Sequence, residues 1–399
     1  MTRLTVLDGF RGFFMVFMTV SHLNMIAGTT LGKMNHLYFG WGDDAHGFVF
    51  LSGMVVGLVY GGLMLRRSAA QMRGAMFNRI RTIYAHQVVL ITFMVIAAFF
   101  YLQYAAAVPA ALRPYADDPL IFTASSMLLV ANSMHMGILP MYIAFMAVTP
   151  LVLVALRRGY LVPLAMGSVL LWMIAQTGLV EEMTDRLEFW LAGHGVPAKI
   201  GIYFHLFGWQ LIYFTGLVLG YLMAAGKLDL APLKTRPYTY AFLVGLAGAV
   251  VLGLYDRIVY GEWISPEFSI AALEGVERKN FSTIYMVSFF LDLYLLGWLL
   301  NAGPDCGIRW IARTAEAVRW FFTRRWLVFL GQHSLHVFSF HILLVYAVDI
   351  LSEGHRYGEL DGDLVLLAGV ASLYLPAWMH ARMQARERAK AKTPNGHAA

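Results

Sequence analysis

Charged side chains and cysteine are both scarce in this chain of 399 residues. Only 14% of the residues are Asp, Glu, Lys or Arg, whereas 59% are hydrophobic, and this balance excludes an ordinary soluble domain. The single cysteine, Cys306, excludes an intramolecular disulfide and a cysteine-based metal site. Common signatures of nucleotide-binding and hydrolytic enzymes are also missing, among them G-x-G-x-x-G, the P-loop, H-E-x-x-H and G-x-S-x-G.

Long hydrophobic runs are what the chain has instead. About ten runs approach the 20 residues that a helix needs to cross a bilayer, so the sequence predicts an all-α, polytopic membrane bundle. The runs are residues 9–26, 48–64, 83–104, 137–156, 160–179, 206–225, 238–255, 282–301, 326–350 and 364–379. Residues 1–380 are interpreted as a single transmembrane domain, and the basic stretch 381–399 as a tail without regular structure.

The basic residues are concentrated in alternate connections between these runs. If the N-terminus is cytoplasmic, most of the 30 Lys and Arg residues lie in cytoplasmic segments and most of the 24 acidic residues lie outside. The positive-inside rule therefore predicts that both termini are cytoplasmic. This orientation accounts for the net charge of +6, so no nucleic-acid partner is expected.

The first hydrophobic run carries three ionisable residues, Asp8, Arg11 and His22. Such groups are costly inside a membrane unless they face protein or water, and they commonly mark function. The eleven-residue spacing places Arg11 and His22 about 20° apart on one helical face and about 16 Å apart along the helix. Asp8 precedes Arg11 by three residues and can pair with it. These are the candidate catalytic residues, although Asp8 and Arg11 are also compatible with a buried ion pair that fixes helix register.

Five sequence blocks resemble a known family. Leu7-Asp8 and Arg11-Gly12, followed by His22, are similar to the start of the acyltransferase-3 superfamily, and more specifically of its OpgC branch. Four later blocks are similar to further OpgC elements: Phe-Val-Phe-Leu-Ser-Gly at 48–53, Leu-Pro-Met-Tyr at 139–142, Trp-Gln at 209–210 and Leu-Gly-Gln-His-Ser-Leu-His-Val-Phe at 330–338. The chain departs from the family at 205–206, where His-Leu replaces the frequent Asn-Pro.

The resemblance implies a multi-pass O-acyltransferase of the bacterial inner (cytoplasmic) membrane. Its partners would be the lipid bilayer, acyl-CoA, and a periplasmic glucan or related glycan as acceptor. Succinyl is the favoured acyl group and acetyl is the alternative, with succinyl-CoA or acetyl-CoA as a donor substrate rather than a permanently bound cofactor. His22 would be the general base, because an imidazole titrates near neutral pH and can accept the proton of a hydroxyl.

These blocks and the residues close to them supply the candidate substrate-binding residues, all with polar or aromatic side chains. They are Ser52, His135, Tyr142, Trp209, Gln210, His333, Ser334 and His341. Ser52-Gly53 is equally compatible with a small-residue helix contact, and Trp209 with an aromatic residue of the membrane interface. The histidines of the ninth run do not converge in one direction, so no metal site is expected.

The competing functional class is a transporter or flippase for a glycan or a small anionic solute. Asp292 in the middle of the eighth run, together with Arg11 and several histidines, would suit proton coupling. Against this class, the two halves of the sequence show no repeat and no matching pair of interrupted runs. The sequence therefore favours an acyltransferase.

The charge pattern makes a direct prediction about topology. A periplasmic-only reporter fused within residues 66–81, which carry five arginines, should be inactive, whereas a fusion within residues 109–119 should be active. An active reporter in the first position would show that the orientation is inverted.

Overall fold

The computed structural model describes residues 2–34, 40–105, 107–201, 203–261, 263–352, 355 and 357–392. These residues are mostly helical and contain no β-strand, only an isolated bridge between Ala131 and Gly201. The α-helices are, in chain order, α1 (Thr2–Ala27), α2 (Asp44–Val56), α3 (Gly62–Arg66), α4 (Ala69–Tyr104), α5 (Arg113–Asp117), α6 (Pro119–Met127), α7 (Ile138–Arg157), α8 (Leu161–Ala175), α9 (Leu179–Gly193), α10 (Leu206–Ala224), α11 (Arg236–Tyr260), α12 (Pro266–Leu273), α13 (Thr283–Asn301), α14 (Arg309–Phe322), α15 (Arg325–Gln332), α16 (Ser334–Leu351), α17 (Glu359–Ser372) and α18 (Tyr374–Lys392).

Within the described ranges, nine helical segments are long and apolar enough to cross a membrane, and one bent pair of helices can supply a tenth crossing. The single segments are Thr5–Ala27, Asp44–Arg66, Ala69–Tyr104, Met134–Arg157, Leu206–Ala224, Arg236–Tyr260, Thr283–Asn301, Ser334–Leu351 and Glu359–Ala389. The bent pair is α8 and α9, which meet at 59°. The predicted all-α polytopic bundle of about ten spans is confirmed, and the protein is a multi-pass membrane protein.

The fifth predicted span differs from the structure at its end. Helix α8 stops at Ala175, and Gly178 adopts a left-handed conformation with φ of 71° before α9 begins. Glycine enters this conformation without the steric cost of a side chain. The stretch expected to be a loop is therefore the helix α9, whose first turn carries Glu181 and Glu182, charges that a helix N-terminus favours.

The ninth predicted span, residues 326–350, is interrupted. Helix α15 ends at Gln332, His333 is non-helical with φ of −109° and ψ of 21°, and α16 starts at Ser334. The sequence did not reveal this break, because it contains no proline and because Gly331, two residues earlier, is equally compatible with a continuous membrane helix.

The tail prediction is wrong for residues 381–392, which form the second half of α18. The sequence there is rich in Ala, Arg, Gln, Glu and Lys, which are strong helix formers. Residues 393–399 lie outside the described residues.

The chain divides into two compact units. Unit 1 comprises residues 1–35 and 317–399, and unit 2 comprises residues 36–316. The expectation of one domain over residues 1–380 stays a prediction.

In unit 1, two glycines allow α1 to cross α15 with the two backbones in direct contact, and a third, Gly9, brings α1 against the end of α14. A Cβ added at Gly12 would overlap the Leu327 carbonyl, and one added at Gly331 would overlap the Asp8 carbonyl. Gly9 meets the Phe322 carbonyl in the same way. Small residues drive such close approach in membranes, where packing replaces the hydrophobic effect. The crossing lies at the level of Asp8 and Arg11 on α1.

In unit 2, α2 and α10 cross through reciprocal glycine pairs. Gly53 and Gly57 face the backbone of α10, while Gly216 and Gly220 face the backbone of α2 and of the π-helical segment Gly57–Gly61 that follows it. Each helix thus presents a G-x-x-x-G face to the other. The helix-contact alternative is correct for Gly53, and Ser52 is buried beside it.

The close α1–α15 crossing predicts that a single methyl group added at a contact glycine destabilises the protein, whereas one added elsewhere does not. Gly12→Ala should lower stability by about 1–3 kcal/mol, because the backbones must separate to accommodate it. Gly74→Ala in α4, where an added Cβ has no atom within 4 Å, is the matched control and should be neutral or slightly stabilising. Thermal unfolding of the detergent-solubilised protein measures both, and equal midpoints for the two variants would contradict the close crossing.

Candidate functional site

The crossing places the polar residues of α1 against the start of α16. Arg11 forms an ion pair with Asp8, with 3.9 Å between Nη1 and Oδ1, and its Nη2 donates a hydrogen bond to the Ser334 hydroxyl. Ser334 is buried, and only 16% of the Arg11 side chain is exposed. The Gln332 side chain also hydrogen-bonds to Asp8. Arg11 is therefore held between the last turn of α15 and the first turn of α16.

Further along α1, His22 meets His341 of α16. The two rings are stacked, with centroids 5.4 Å apart and planes 17° apart. His341 is fully buried, and its Nδ1 lies 2.7 Å from the Phe338 carbonyl oxygen. Because a carbonyl only accepts, Nδ1 of His341 carries a proton, and a neutral His341 then has an acceptor at Nε2.

These contacts form one row along unit 1, which we call the α1–α16 row: Asp8, Arg11, Ser334, His341 and His22. Arg11 and His22 are about 16 Å apart along α1, whereas Ser334 and His341 are about 10 Å apart along α16. The seven-residue spacing of Ser334 and His341 places them on one face of α16, and the structure shows that this face meets the Arg11–His22 face of α1.

The third predicted residue of this region, His333, lies apart from the row. Its Nδ1 is 2.8 Å from Nδ1 of His380 on α18, and the ring of His336 stacks on His380 at 3.6 Å. Among the described residues, no group of three His, Cys, Asp or Glu side chains is arranged to hold a metal ion. His380 carried no signal in the sequence, since it follows an ordinary apolar run.

In unit 2, Gln210 and Trp209 are anchored within the protein. The Gln210 amide accepts from the Ser168 hydroxyl at 2.7 Å and donates to the Ser168 and Phe207 carbonyls at 2.7 and 3.0 Å. Trp209 is fully buried and donates from its indole to the Lys279 carbonyl at 2.9 Å. Gln210 joins α8 to α10, and Trp209 joins α10 to the loop before α13.

His135 and Tyr142 lie at the start of the fourth span. His135 belongs to the 3₁₀ turn Met134–Met136, and Tyr142 packs edge-on against Tyr213 with ring centroids 5.8 Å apart. The Tyr213 hydroxyl is 3.2 Å from that of Thr149. Tyr142 therefore joins α7 to the buried Tyr213 of α10, whereas His135 lies in the turn before α7.

His205, the departure from the family pattern, caps helix α10. Its Nδ1 accepts a hydrogen bond from the Gly208 N–H at 3.3 Å, as an asparagine side chain would at this position. Burial lowers the pKa of His205, although the Glu181 carboxylate lies 3.8 Å from its Nε2. His205 thus supplies the N-terminal cap of α10 from its imidazole.

A second polar cluster, which sequence reasoning missed, lies at the start of α2. Asp43 caps that helix by accepting from the Ala45 N–H at 3.0 Å, and it forms an ion pair with Arg278. Burial alone would raise the pKa of Asp43, but the Arg278 guanidinium, His46 and the Ala45 N–H outweigh it and lower the pKa. His46 is 1% exposed and packs against the rings of Trp209, Phe281, Tyr285 and Phe289. The Asp-Asp-Ala-His run before an apolar span was the available signal, but nothing in the sequence pointed to Arg278 as its partner.

The fold and the α1–α16 row define a multi-pass membrane protein with an internal polar site, a class that includes membrane-embedded acyltransferases. The family model described as OpgC protein matches residues 3–385, so the chain belongs to the OpgC family. Membership makes it, in general terms, an OpgC-type glucan acyltransferase with a glycan acceptor. No curated protein and no solved structure matched the chain. Placement in the wider acyltransferase-3 superfamily stays a prediction.

The Asp43–Arg278 pair predicts a pH-dependent loss of stability. Asp43→Asn should cost about 1–3 kcal/mol at neutral pH, since it removes the carboxylate partner from Arg278. The contribution is fully present above the pKa of an unfolded aspartate, about 3.9, and is lost as pH falls through the lower folded value. The stability difference between wild type and variant should therefore be constant from pH 5 to 8 and shrink below about pH 3.9.

Thermal unfolding across this pH range is the measurement, and Glu182→Gln is its control. Glu182 pairs with Arg186 on the surface, where both side chains are mostly exposed, so its loss should change stability by less than about 1 kcal/mol. Equal effects of the two variants at pH 7 would contradict a structural role for the Asp43 pair.

Proposed function

We propose that the protein transfers an acyl group, succinyl in preference to acetyl, from cytoplasmic acyl-CoA to a hydroxyl group of a periplasmic glucan in the bacterial inner membrane. The observation that carries this proposal is the α1–α16 row, with a cation at one end and paired imidazoles at the other. An elongated donor with a charged carrier and a reactive thioester fits such a row. Family membership supplies the glucan acceptor.

In the proposed reaction, His22 accepts the proton of the acceptor hydroxyl while the hydroxyl oxygen bonds to the thioester carbonyl carbon. The carbon–sulfur bond then breaks, and the CoA sulfur leaves and takes up the proton from His22. No acyl group is attached to the protein at any stage. Positioned proton transfer of this kind contributes typically about 10²- to 10⁴-fold in rate.

His341 acts as a positioning residue for His22. Its hydrogen bond to the Phe338 carbonyl fixes its orientation, and its ring covers one face of the His22 ring. Two stacked imidazolium ions would repel each other, so a neutral His341 leaves His22 as the group that takes the proton. The pairing thus assigns different roles to two histidines that the sequence presented separately.

Arg11 supplies positive charge at the other end of the row. Asp8 and Ser334 hold its guanidinium in place, and a guanidinium donates hydrogen bonds of the kind that a carbonyl or a phosphate oxygen of the donor accepts. An arginine suits this position because its planar, multi-donor group is always charged and binds oxygen anions in a defined orientation.

Replacing His22 should separate binding from transfer. His22→Ala and His22→Gln should each fold and bind acyl-CoA as the parent does, but should release CoA in the presence of glucan about 10²- to 10⁴-fold more slowly. His194→Ala is the control, because His194 is exposed at the end of α9 and should leave the rate unchanged. Purified protein, labelled acyl-CoA and glucan are sufficient for the measurement.

Two outcomes would contradict the proposal in different ways. Transfer within a few-fold of the parent in His22→Ala would remove the α1–α16 row from the reaction. Label that accumulates on His22 without acceptor, and then moves to added glucan, would replace direct attack by an acyl-enzyme route.

A further inference from the structure

Unit 1 contains a cavity of about 400 Å³ between the α15–α16 junction and the second half of α18. The residues that line it are Gln332, His333, Ala381, Gln384, Ala385 and Arg388. Four of the six are polar, and none is acidic. Neither the reaction proposed above nor the motifs of the first helix use this cavity.

Hydrogen bonds determine which ring nitrogens of His380 and His333 carry a proton. The Gln384 amide nitrogen, which donates, lies 3.2 Å from Nε2 of His380, so this nitrogen of His380 is an acceptor. A neutral His380 then carries its proton on Nδ1 and donates it to Nδ1 of His333, 2.8 Å away. A neutral His333 must in turn be protonated on Nε2. The chain of bonds makes His333 a hydrogen-bond donor on the cavity wall.

The other polar lining groups are donors or can donate. Arg388 carries a permanent positive charge, and the amides of Gln332 and Gln384 each have an NH₂ group. The cavity is thus lined by two amides, an imidazole N–H and a guanidinium, and by no carboxylate. Such an environment is suited to a multiply charged oxyanion.

The cavity adjoins the Arg11 end of the α1–α16 row rather than its histidine end. Gln332 lines the cavity and also hydrogen-bonds to Asp8, which pairs with Arg11. His333 immediately precedes Ser334, the residue that receives the Arg11 hydrogen bond. A donor whose thioester reaches His22 would therefore have its opposite end close to this cavity.

We propose that this cavity binds the phosphate groups at the nucleotide end of the acyl donor. The inference rests on the proposed function, because it takes acyl-CoA as the donor. Phosphate chemistry is also offered by the headgroup of an anionic lipid, so the experiment must distinguish these two sources.

The experiment compares two ligands on the full-length protein in nanodiscs of phosphatidylcholine, which has no net negative charge. CoA carries the nucleotide phosphates, whereas pantetheine has the same thiol arm without them. Arg388→Ala should weaken CoA binding about tenfold or more, the usual effect of losing a charged hydrogen-bond partner, and leave pantetheine binding unchanged. Arg388→Lys should restore only part of the affinity.

Arg386→Ala is the matched control, since it removes the same charge from the same helix but does not line the cavity. A second variant, Gln384→Leu, removes the amide that fixes the histidine chain and should also weaken CoA selectively. Equal CoA affinities for Arg388→Ala and Arg386→Ala would overturn the proposal while leaving the proposed function intact.

Two further results separate the alternatives. If wild-type protein binds no CoA at all, the proposed function fails together with this inference. If nanodiscs containing anionic lipid abolish CoA binding to wild type but not to Arg388→Ala, the cavity is a lipid headgroup site and the nucleotide assignment is wrong. Unchanged CoA selectivity in anionic nanodiscs supports the nucleotide.

Discussion

The backbone contact between α1 and α15 is the constraint on which the rest of unit 1 depends. Gly12 and Gly331 bring these two helices so close that no side chain fits between them, and Gly9 meets the end of α14 in the same way. Since α15 ends one residue before α16 begins, this contact also sets the position of α16 beside α1. Arg11 can then reach Ser334, and His22 can stack on His341. Packing of residues without side chains thus determines where the polar ones meet.

The polar groups of unit 1 change in chemical character along one direction. The cavity beside Arg388 offers several donors without acidic lining, the Arg11 region offers a guanidinium held by Asp8, and the His22 region offers paired imidazoles. A long donor molecule would meet these groups in sequence, from its charged end to its reactive end. Unit 2 follows a different scheme, in which Gln210, Trp209, His205 and Asp43 satisfy backbone and side-chain groups of the protein. Gln210 joins α8 to α10, while Trp209 and Asp43 tie α10 and α2 to the loop before α13.

Much of the fold followed from the sequence because membrane spans depend on length and apolarity, both of which are local. The pairing of α1 with α16 could be predicted only in part from the sequence. Helical periodicity places Arg11 and His22 on one face of α1, and Ser334 and His341 on one face of α16. It does not show that these two faces contact each other. Three features were inaccessible for physical reasons. The break at His333 has no proline, and Gly331 two residues earlier is common within membrane helices. The His333–His380 contact joins residues 47 positions apart, and the Arg278 partner of Asp43 lies in a loop with several other charges. The glycines of α1 and α15 were visible, but their contact depends on tertiary packing.

The central claim is that the protein uses the α1–α16 row to attach acyl groups to a periplasmic glucan. Analysis of the glucan is the most direct test of this claim. Periplasmic glucans from cells lacking the protein would be compared by mass spectrometry with those from cells complemented by the wild type or by His22→Gln. The account predicts equal amounts of glucan in all three, with the acyl substituent present only in the wild-type complement. A transporter would instead change the amount of glucan in the periplasm. Unaltered acylation in cells without the protein, or loss of the glucan itself, would contradict the account.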